Sequence, residues 1–160
     1  MKEIHKSLYV GGDSDYEKVK ENPDWRVLRA CKDGPGGHRE IIGYQERSAP
    51  KGPTYLFVER PRKLILNMVD SDKPLFPDSM VDKALAFVSD NIRLGHKVLI
   101  ACNRGESRAP SLGLLWLVLN GLLPPSGAFH RFKKLYPDYD PAPGISQYSK
   151  ERIIKARYGR

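Results

Sequence analysis

The sequence predicts an α/β fold in which a small, mostly parallel central sheet is flanked by helices. Short apolar runs typical of buried strands alternate along the chain with segments that carry apolar residues at helical spacing. The predicted order is a strand, a helix, three strands, a helix, a strand and three helices, which is typical of α/β proteins. A chain of 160 residues can bury a core, and we predict a single domain over residues 1–160.

The first half of the chain is predicted to supply four strands and one helix. Asp13 or Ser14 can cap a helix that continues to about Asn22. The third and fourth strands suit a hairpin whose turn is residues 59–63. The four strands are predicted at residues 7–10, 25–30, 55–58 and 64–69.

Residues 32–53 lack strand or helix periodicity and are rich in Gly, Pro and charged residues. A loop of that length in a compact domain is usually functional or disordered. Because the carboxyl ends of parallel strands meet at one sheet edge, we hypothesise that this loop reaches a substrate site there. The alternative is a surface loop without function. The candidate rim residues are His38, Arg39, Tyr44 and Arg47.

The second half of the chain is predicted to supply the last strand and four helices. A helix begins at Asp78 or Ser79 and ends at Gly95, with one apolar face. The strand at residues 98–101 precedes an apolar helix that Gly121 can close. The last two helices are predicted at residues 126–136 and 145–157.

The composition favours an anionic partner. Lys and Arg total 27 against 19 Asp and Glu, for a net charge of +8, although a solvated basic surface would explain this equally. The N-terminal residues lack an apolar signal core, and no apolar run is long enough to span a bilayer. Two cysteines are too few for a secreted disulfide scaffold, so we expect a cytoplasmic protein.

A strand, a short loop and a helix follow one another directly in residues 98–119. Such a turn aims successive backbone N–H groups and the positive end of the helix dipole at one point, which favours an anion. The loop begins at Cys102 and ends at Arg108, whose planar guanidinium can bind phosphate through two hydrogen bonds. Positive surroundings favour the thiolate form of a cysteine, so Cys102 is a candidate nucleophile.

Further features of this loop match those of a known family. Five residues separate Cys102 from Arg108, with Gly105 among them. Asp70 precedes Cys102 by 32 residues and follows the apolar run at residues 64–69. With the strand before the loop and the helix after it, this pattern resembles the cysteine-dependent protein tyrosine phosphatases, and specifically their small dual-specificity branch. The resemblance implies a dual-specificity-phosphatase-like fold.

The resemblance also implies the roles of the site residues. Cys102 attacks phosphorus to form a cysteinyl-phosphate, Arg108 binds two phosphate oxygens, and Asp70 protonates the leaving oxygen. Asp72 is the alternative acid, but the end of a strand positions a side chain better than the tip of a loop. The reaction requires no metal and no cofactor. The implied substrate-binding residues are Asn103, Arg104, Gly105, Glu106 and Ser107.

Two residues depart from the family pattern. Ala101 stands where the family usually has a histidine that orders the loop, and Ala109 stands where it usually has Ser or Thr. That hydroxyl helps the thiolate to leave, and Ser107 or Ser111 could substitute for it. The two changes affect the expected rate more than the reaction type.

Two other residues bear on specificity and regulation. Glu106 places a negative charge at the expected rim, which disfavours multiply phosphorylated head groups such as those of inositol lipids. Cys31 ends a neighbouring predicted strand and could form a reversible disulfide with Cys102, provided that their Cα atoms lie within roughly 7 Å.

We therefore expect a phosphoprotein phosphatase that hydrolyses phosphotyrosine, with phosphoserine and phosphothreonine as further substrates. One alternative is an RNA 5′-end or nucleotide phosphatase, which the net charge permits, although no interleaved aromatic platform for bases is evident. A second alternative is a catalytically weak phosphate-binding module. The expected partner is a phosphorylated protein or peptide, and nucleic acid is less favoured.

Overall fold

The computed structural model describes residues 1–158, so the last two residues of the predicted domain lie outside the described residues. Within that range the chain forms six strands and six helices. The strands are β1 (Lys2–His5), β2 (Leu8–Gly11), β3 (Trp25–Arg29), β4 (Phe57–Arg60), β5 (Lys63–Leu66) and β6 (Lys97–Ala101). The helices are α1 (Asp13–Val19), α2 (His38–Ile42), α3 (Asp78–Arg93), α4 (Arg108–Leu119), α5 (Ala128–Leu135) and α6 (Pro143–Tyr158).

All six strands belong to one sheet, in the order β1-β2-β6-β3-β5-β4. The four central strands are parallel, and an antiparallel strand lies at each edge. In this register Ala101 of β6 lies between Gly11 of β2 and Arg29 of β3. The carboxyl ends of these three strands therefore meet at one edge of the sheet, which is where ligands bind in open α/β folds. The predicted α/β fold with a mostly parallel central sheet is confirmed.

Helices cover both faces of the sheet. On one face, Tyr16 and Val19 of α1 pack against Val27 and Leu99. On the other face, α4 packs against β2 and β6 and is surrounded by α3, α5 and α6. A helix that is apolar on all sides is stable only when it is enclosed, and every residue of α4 from Arg108 to Val118 is buried. Among residues 1–158, no helix has both the length and the apolarity that a membrane span requires.

Two elements were not predicted from the sequence, and one turn is tighter than predicted. β1 is an edge strand with only Ile4 buried, so it lacks a continuous apolar pattern. The predicted hairpin is present, but β4 and β5 are joined by Pro61 and Arg62 alone. Proline restricts φ to about −65°, and Arg62 adopts a φ of 65°, so this two-residue connection has the φ signs of a type II turn.

The second unpredicted element, α2, lies within the long loop and packs against that loop. His38 is fully buried, with its Nδ1 2.8 Å from the Tyr44 hydroxyl and its Nε2 2.6 Å from the Thr54 carbonyl oxygen. The guanidinium of Arg39 lies over the ring of Tyr44 and donates to Asp33 at 2.6 Å. These side chains give the loop a small core of its own.

Replacing His38 with Ala removes both hydrogen bonds and leaves a cavity, so we expect the free energy of unfolding to fall by about 2–4 kcal/mol. Burial also lowers the pKa of His38, so the unfolded chain binds a proton at a higher pH than the folded protein. That part of the stability is present above about pH 6.5 and is lost as the pH falls below it. Urea unfolding at pH 7.5 and 5.5 tests this, and an equal pH dependence in wild type and His38→Ala would contradict it.

Candidate active site

A pocket of about 460 Å³ opens at the sheet edge where β2, β3 and β6 end. It brings together residues from three segments that are distant in the sequence. These are the segment after β5, the loop between β6 and α4, and the connection before α6. The lining residues are Asp70, Cys102, Asn103, Arg104, Glu106, Ser107, Arg108, Asp140, Pro141 and Ala142.

The loop between β6 and α4 bends sharply at Gly105. Gly105 has a φ of 74°, and a Cβ built there would lie 2.8 Å from the backbone carbonyl carbon of Gly11. Both the backbone conformation and the close approach therefore require glycine. The Gly105 carbonyl oxygen accepts a hydrogen bond from the Tyr136 hydroxyl at 2.6 Å, and this bond helps to hold the bend in place. Gly105 shapes the pocket without lining it.

Cys102 follows the last residue of β6 and is 2% exposed. It packs in the main core and also lines the pocket. Helix α4 begins six residues later, at Arg108, so only a short loop joins Cys102 to the helix. The structure therefore places the predicted nucleophile in the wall of this pocket, with only a small part of it exposed to solvent.

Arg108 is the first residue of α4 and extends into the same pocket. One Nη donates to the Met68 carbonyl oxygen at 2.9 Å, and the other donates to Oδ1 of Asn103 at 2.8 Å. Its Nε is buried and has no hydrogen-bond partner among residues 1–158. No Asp or Glu side chain among these described residues forms an ion pair with Arg108. A buried cation with an open donor is a favourable partner for an oxyanion.

Asp70 lines the pocket at the end of the segment after β5. Its Oδ1 accepts a hydrogen bond from the Ser107 hydroxyl at 2.9 Å, and Ser107 Oγ accepts one from the Ala142 N–H at 2.8 Å. Ser107 therefore joins all three segments of the pocket. Asp70 and Asp72 are both exposed, but only Asp70 lines the pocket, and the assignment of Asp70 as the acid stays a prediction.

The rim of the pocket carries charges of both signs. Arg104 is exposed and Glu106 is half-buried. The Asp140 N–H donates to the Glu106 carbonyl oxygen at 2.7 Å, which holds two acidic residues side by side. Sequence reasoning missed Asp140, because nothing in the proline-rich connection before α6 indicates that it returns to the loop.

The long loop does not line the pocket with the predicted side chains. His38 and Tyr44 are buried in the loop core, Arg39 binds Asp33, and Arg47 is exposed elsewhere. None of these four residues lines the pocket, so the rim hypothesis is wrong for them. A loop of this length needs buried side chains of its own to stay folded, and His38 and Tyr44 are used for that purpose.

The two serines proposed to replace the missing hydroxyl have other partners. The single hydroxyl proton of Ser107 is donated to Asp70, so Ser107 cannot also donate to the sulfur of Cys102. Ser111 is fully buried, and its Oγ lies 2.8 Å from the Tyr139 hydroxyl. A role for Ser111 stays a prediction.

Cys31 is also a free, fully buried cysteine near the end of β3. Burial raises the pKa of its thiol to about 11. A protonated thiol attacks sulfur slowly, so this environment disfavours rapid disulfide formation. The predicted Cys31–Cys102 disulfide stays a prediction. Among residues 1–158, no group of three or more His, Cys, Asp or Glu side chains is arranged to hold a metal ion.

Comparison with known proteins gives matches of structure but not of sequence. No protein-family model and no curated protein matches the chain. A leucine rich repeat and phosphatase domain containing protein from Entamoeba histolytica has a TM-score of 0.66 and 15% identity, over 99% of this chain and 93% of that chain.

Two human proteins are similarly close. The tyrosine phosphatase-like serine/threonine/tyrosine-interacting protein has a TM-score of 0.65 and 17% identity, over 99% of this chain and 97% of that chain. DUSP28 has a TM-score of 0.64 and 16% identity, with 98% of each chain covered. At such identities the likeness establishes the fold alone. The chain therefore has the fold of the small dual-specificity phosphatases, as the resemblance of its sequence predicted.

Proposed function

We propose that this protein is a metal-independent phosphatase that hydrolyses phosphotyrosine monoesters in proteins, with phosphoserine and phosphothreonine monoesters as further substrates. The proposal rests on the presence of Cys102 and Arg108 in one pocket, where the buried Nε of Arg108 has no protein partner among the described residues. A tetrahedral dianion would supply the missing acceptor and the missing negative charge.

The first chemical step is attack of the Cys102 thiolate on phosphorus. The S–P bond forms as the bond from phosphorus to the ester oxygen breaks, and Asp70 gives its proton to the departing oxygen. Arg108 and the backbone N–H groups at the start of α4 bind the non-bridging oxygens as they spread apart. The product of this step is a cysteinyl-phosphate.

The second step is hydrolysis of that intermediate. Asp70, now a carboxylate, accepts a proton from water as the water oxygen attacks phosphorus and the S–P bond breaks. Inorganic phosphate is released, and both Cys102 and Asp70 return to their starting states. The bond from Ser107 to Asp70 supports this assignment, because it holds the carboxyl group beside the loop that would carry the phosphate.

The charges at the rim support a singly phosphorylated substrate. Glu106 and Asp140 lie together at the pocket, and the second phosphate of a multiply phosphorylated head group would face them. Repulsion of like charges in a partly desolvated cleft weakens such binding.

A catalytically weak phosphate-binding module is the second candidate, and one observation favours it. Ala109 has no hydroxyl, and Ser107 donates its only hydroxyl proton to Asp70, so neither residue assists departure of the thiolate. An RNA or nucleotide phosphatase receives less support, because no aromatic side chain is among the residues that line the pocket. Faster turnover of 5′-phosphorylated RNA than of a phosphotyrosyl peptide would favour that alternative.

Replacing Cys102 with Ser should lower kcat on p-nitrophenyl phosphate by at least about 10³-fold, because the nucleophile is lost. Excess EDTA should leave wild-type turnover unchanged. Cys31→Ala is the matched control, since it removes the other buried thiol and should retain most of the activity. Turnover that survives in Cys102→Ser, or that EDTA abolishes, would contradict the proposed mechanism. Tungstate binding without any turnover in wild type would select the binding module.

Replacing Asp70 with Asn should lower kcat by about 10²–10³-fold on phenyl phosphate, whose leaving oxygen needs a proton. The loss should be smaller on p-nitrophenyl phosphate, because that oxygen leaves readily without one. Asp72→Asn is the control and should stay within about threefold of wild type. Equal losses on the two esters, or a larger loss in Asp72→Asn, would refute the assignment of Asp70.

Replacing Glu106 with Gln should raise kcat/KM for a doubly phosphorylated peptide about threefold relative to the singly phosphorylated form, because repulsion at the rim is reduced. The gain should shrink in 0.5 M NaCl as the charges are screened. Asp24→Asn is the control. It makes the same change in charge just before β3, at the end of the strands away from the pocket, and should leave the ratio of the two kcat/KM values unchanged. An unchanged ratio in Glu106→Gln would show that the rim does not select by charge.

A further inference from the structure

Arg29 is a buried charge that the chemistry described above does not use. It ends β3 and is the largest side chain among those with no solvent exposure. Placing a guanidinium in a protein interior is costly unless its nitrogens are hydrogen-bonded and its charge is compensated. The surroundings of Arg29 meet both requirements. One of its hydrogen-bond partners is Cys102, which lines the pocket.

All three nitrogens of the Arg29 guanidinium donate hydrogen bonds. One Nη donates to the Cys102 carbonyl oxygen at 3.0 Å, Nε donates to the Pro35 carbonyl oxygen at 2.9 Å, and the other Nη donates to the Asp13 carboxylate. The ring of Tyr16 covers the guanidinium, with its centroid 4.5 Å from Cζ. Arg29 thus bonds directly to the backbone of the predicted nucleophile.

The residue beside Arg29 on the sheet is Ala101. The two are register partners in neighbouring parallel strands, so their side chains lie on the same face. Both are fully buried. Arg29 therefore reaches the loop on the face of the sheet that also carries the small side chain of Ala101.

Hydrogen bonds continue from Arg29 to the phosphate-binding arginine. Oδ1 of Asp13 accepts a bond from Nδ2 of Asn103 at 3.2 Å, and the Asp13 N–H donates to the Asn103 carbonyl oxygen at 3.0 Å. Oδ1 of Asn103 accepts from Arg108 at 2.8 Å. Arg29, Asp13, Asn103 and Arg108 therefore form one connected chain between β3 and the pocket.

We propose that Arg29 is a positioning residue, which sets the geometry of Cys102 directly and that of Arg108 through Asp13 and Asn103. This inference rests on the proposed function. Without Arg29, the Cys102 carbonyl loses a donor, and the Asp13 carboxylate loses its cation. Asp13 and Asn103 are then free to rearrange, and Arg108 loses one of the two fixed acceptors that hold its guanidinium, keeping only the Met68 carbonyl oxygen.

The test uses Arg29→Met, which keeps the length of the side chain but removes every donor, and Arg29→Lys, which restores one charged donor group. Tungstate is the probe of the oxyanion site, with its Kd measured by calorimetry. Val27→Ala is the control for stability, because Val27 is buried on the same face of β3 and lies away from the pocket. Melting temperature and kcat on p-nitrophenyl phosphate are measured for each variant.

Arg29→Met should weaken tungstate binding and lower kcat, each by about 10- to 100-fold, as expected when a site loses its alignment. Arg29→Lys should recover part of both losses. Val27→Ala should lower the melting temperature but keep kcat and the tungstate Kd within about twofold of wild type. If Arg29→Met likewise lowers the melting temperature but leaves kcat and the tungstate Kd unchanged, Arg29 is merely structural and the inference is overturned. Should Arg29→Met not fold, unchanged values in Arg29→Lys would overturn it.

A second measurement tests the connection to Arg108. In a cycle with Asn103→Ala, the combined effect of both substitutions on tungstate Kd should be smaller than the product of the single effects, because both break one chain of bonds. If the effect of the double substitution on tungstate Kd equals the product of the two single effects, the proposed route through Asn103 is overturned. Absence of turnover in wild type would reject the proposed function, whereas tungstate binding would still decide the role of Arg29.

Discussion

The shape of the site depends on the close approach of two backbone segments, the end of β2 and the loop before α4. The Asp13 N–H donates to the Asn103 carbonyl oxygen at 3.0 Å. A Cβ at Gly105 would lie 2.8 Å from the carbonyl carbon of Gly11, and one at Gly12 would lie 2.9 Å from the Asn103 oxygen. The loop can approach β2 this closely only because both segments supply glycine. This contact determines where the N–H groups of the loop and the start of α4 point.

Two buried arginines bond to this loop, but their charges are balanced differently. Arg29 is bonded at every nitrogen and is compensated by the Asp13 carboxylate. Arg108 is held by two neutral oxygens, of Met68 and Asn103, and retains an open donor. A charge in a partly desolvated site is stabilised by a counter-charge, so the proposed binding of an anion in the pocket depends chiefly on Arg108. The compensated arginine supports the loop, and the uncompensated one faces the cavity.

The long loop contributes to the site through its backbone. Its side chains His38 and Tyr44 form the loop core. Its carbonyl oxygens at Asp33 and Pro35 accept hydrogen bonds from Asn103 and Arg29, at 3.0 and 2.9 Å. The hypothesis that this segment reaches the sheet edge therefore describes its position correctly. It is wrong about which atoms act there, because composition indicates side-chain chemistry and not the direction of carbonyl groups.

By itself, the sequence determined the α/β order and the strand, loop and helix around Cys102 and Arg108, since periodicity and spacing are local signals. Its resemblance to a known family then indicated Asp70 as the candidate acid. Only the tertiary structure decided that Arg29 is buried beneath the loop and that Asp140 lies beside Glu106. Arg29 is 73 residues from Cys102 in the chain, and in the sequence it is simply a charge at the end of a strand. The role of a buried charged residue depends on the groups that neutralise it and bond to it. Those groups come from segments that are distant in the sequence and meet only in the folded protein.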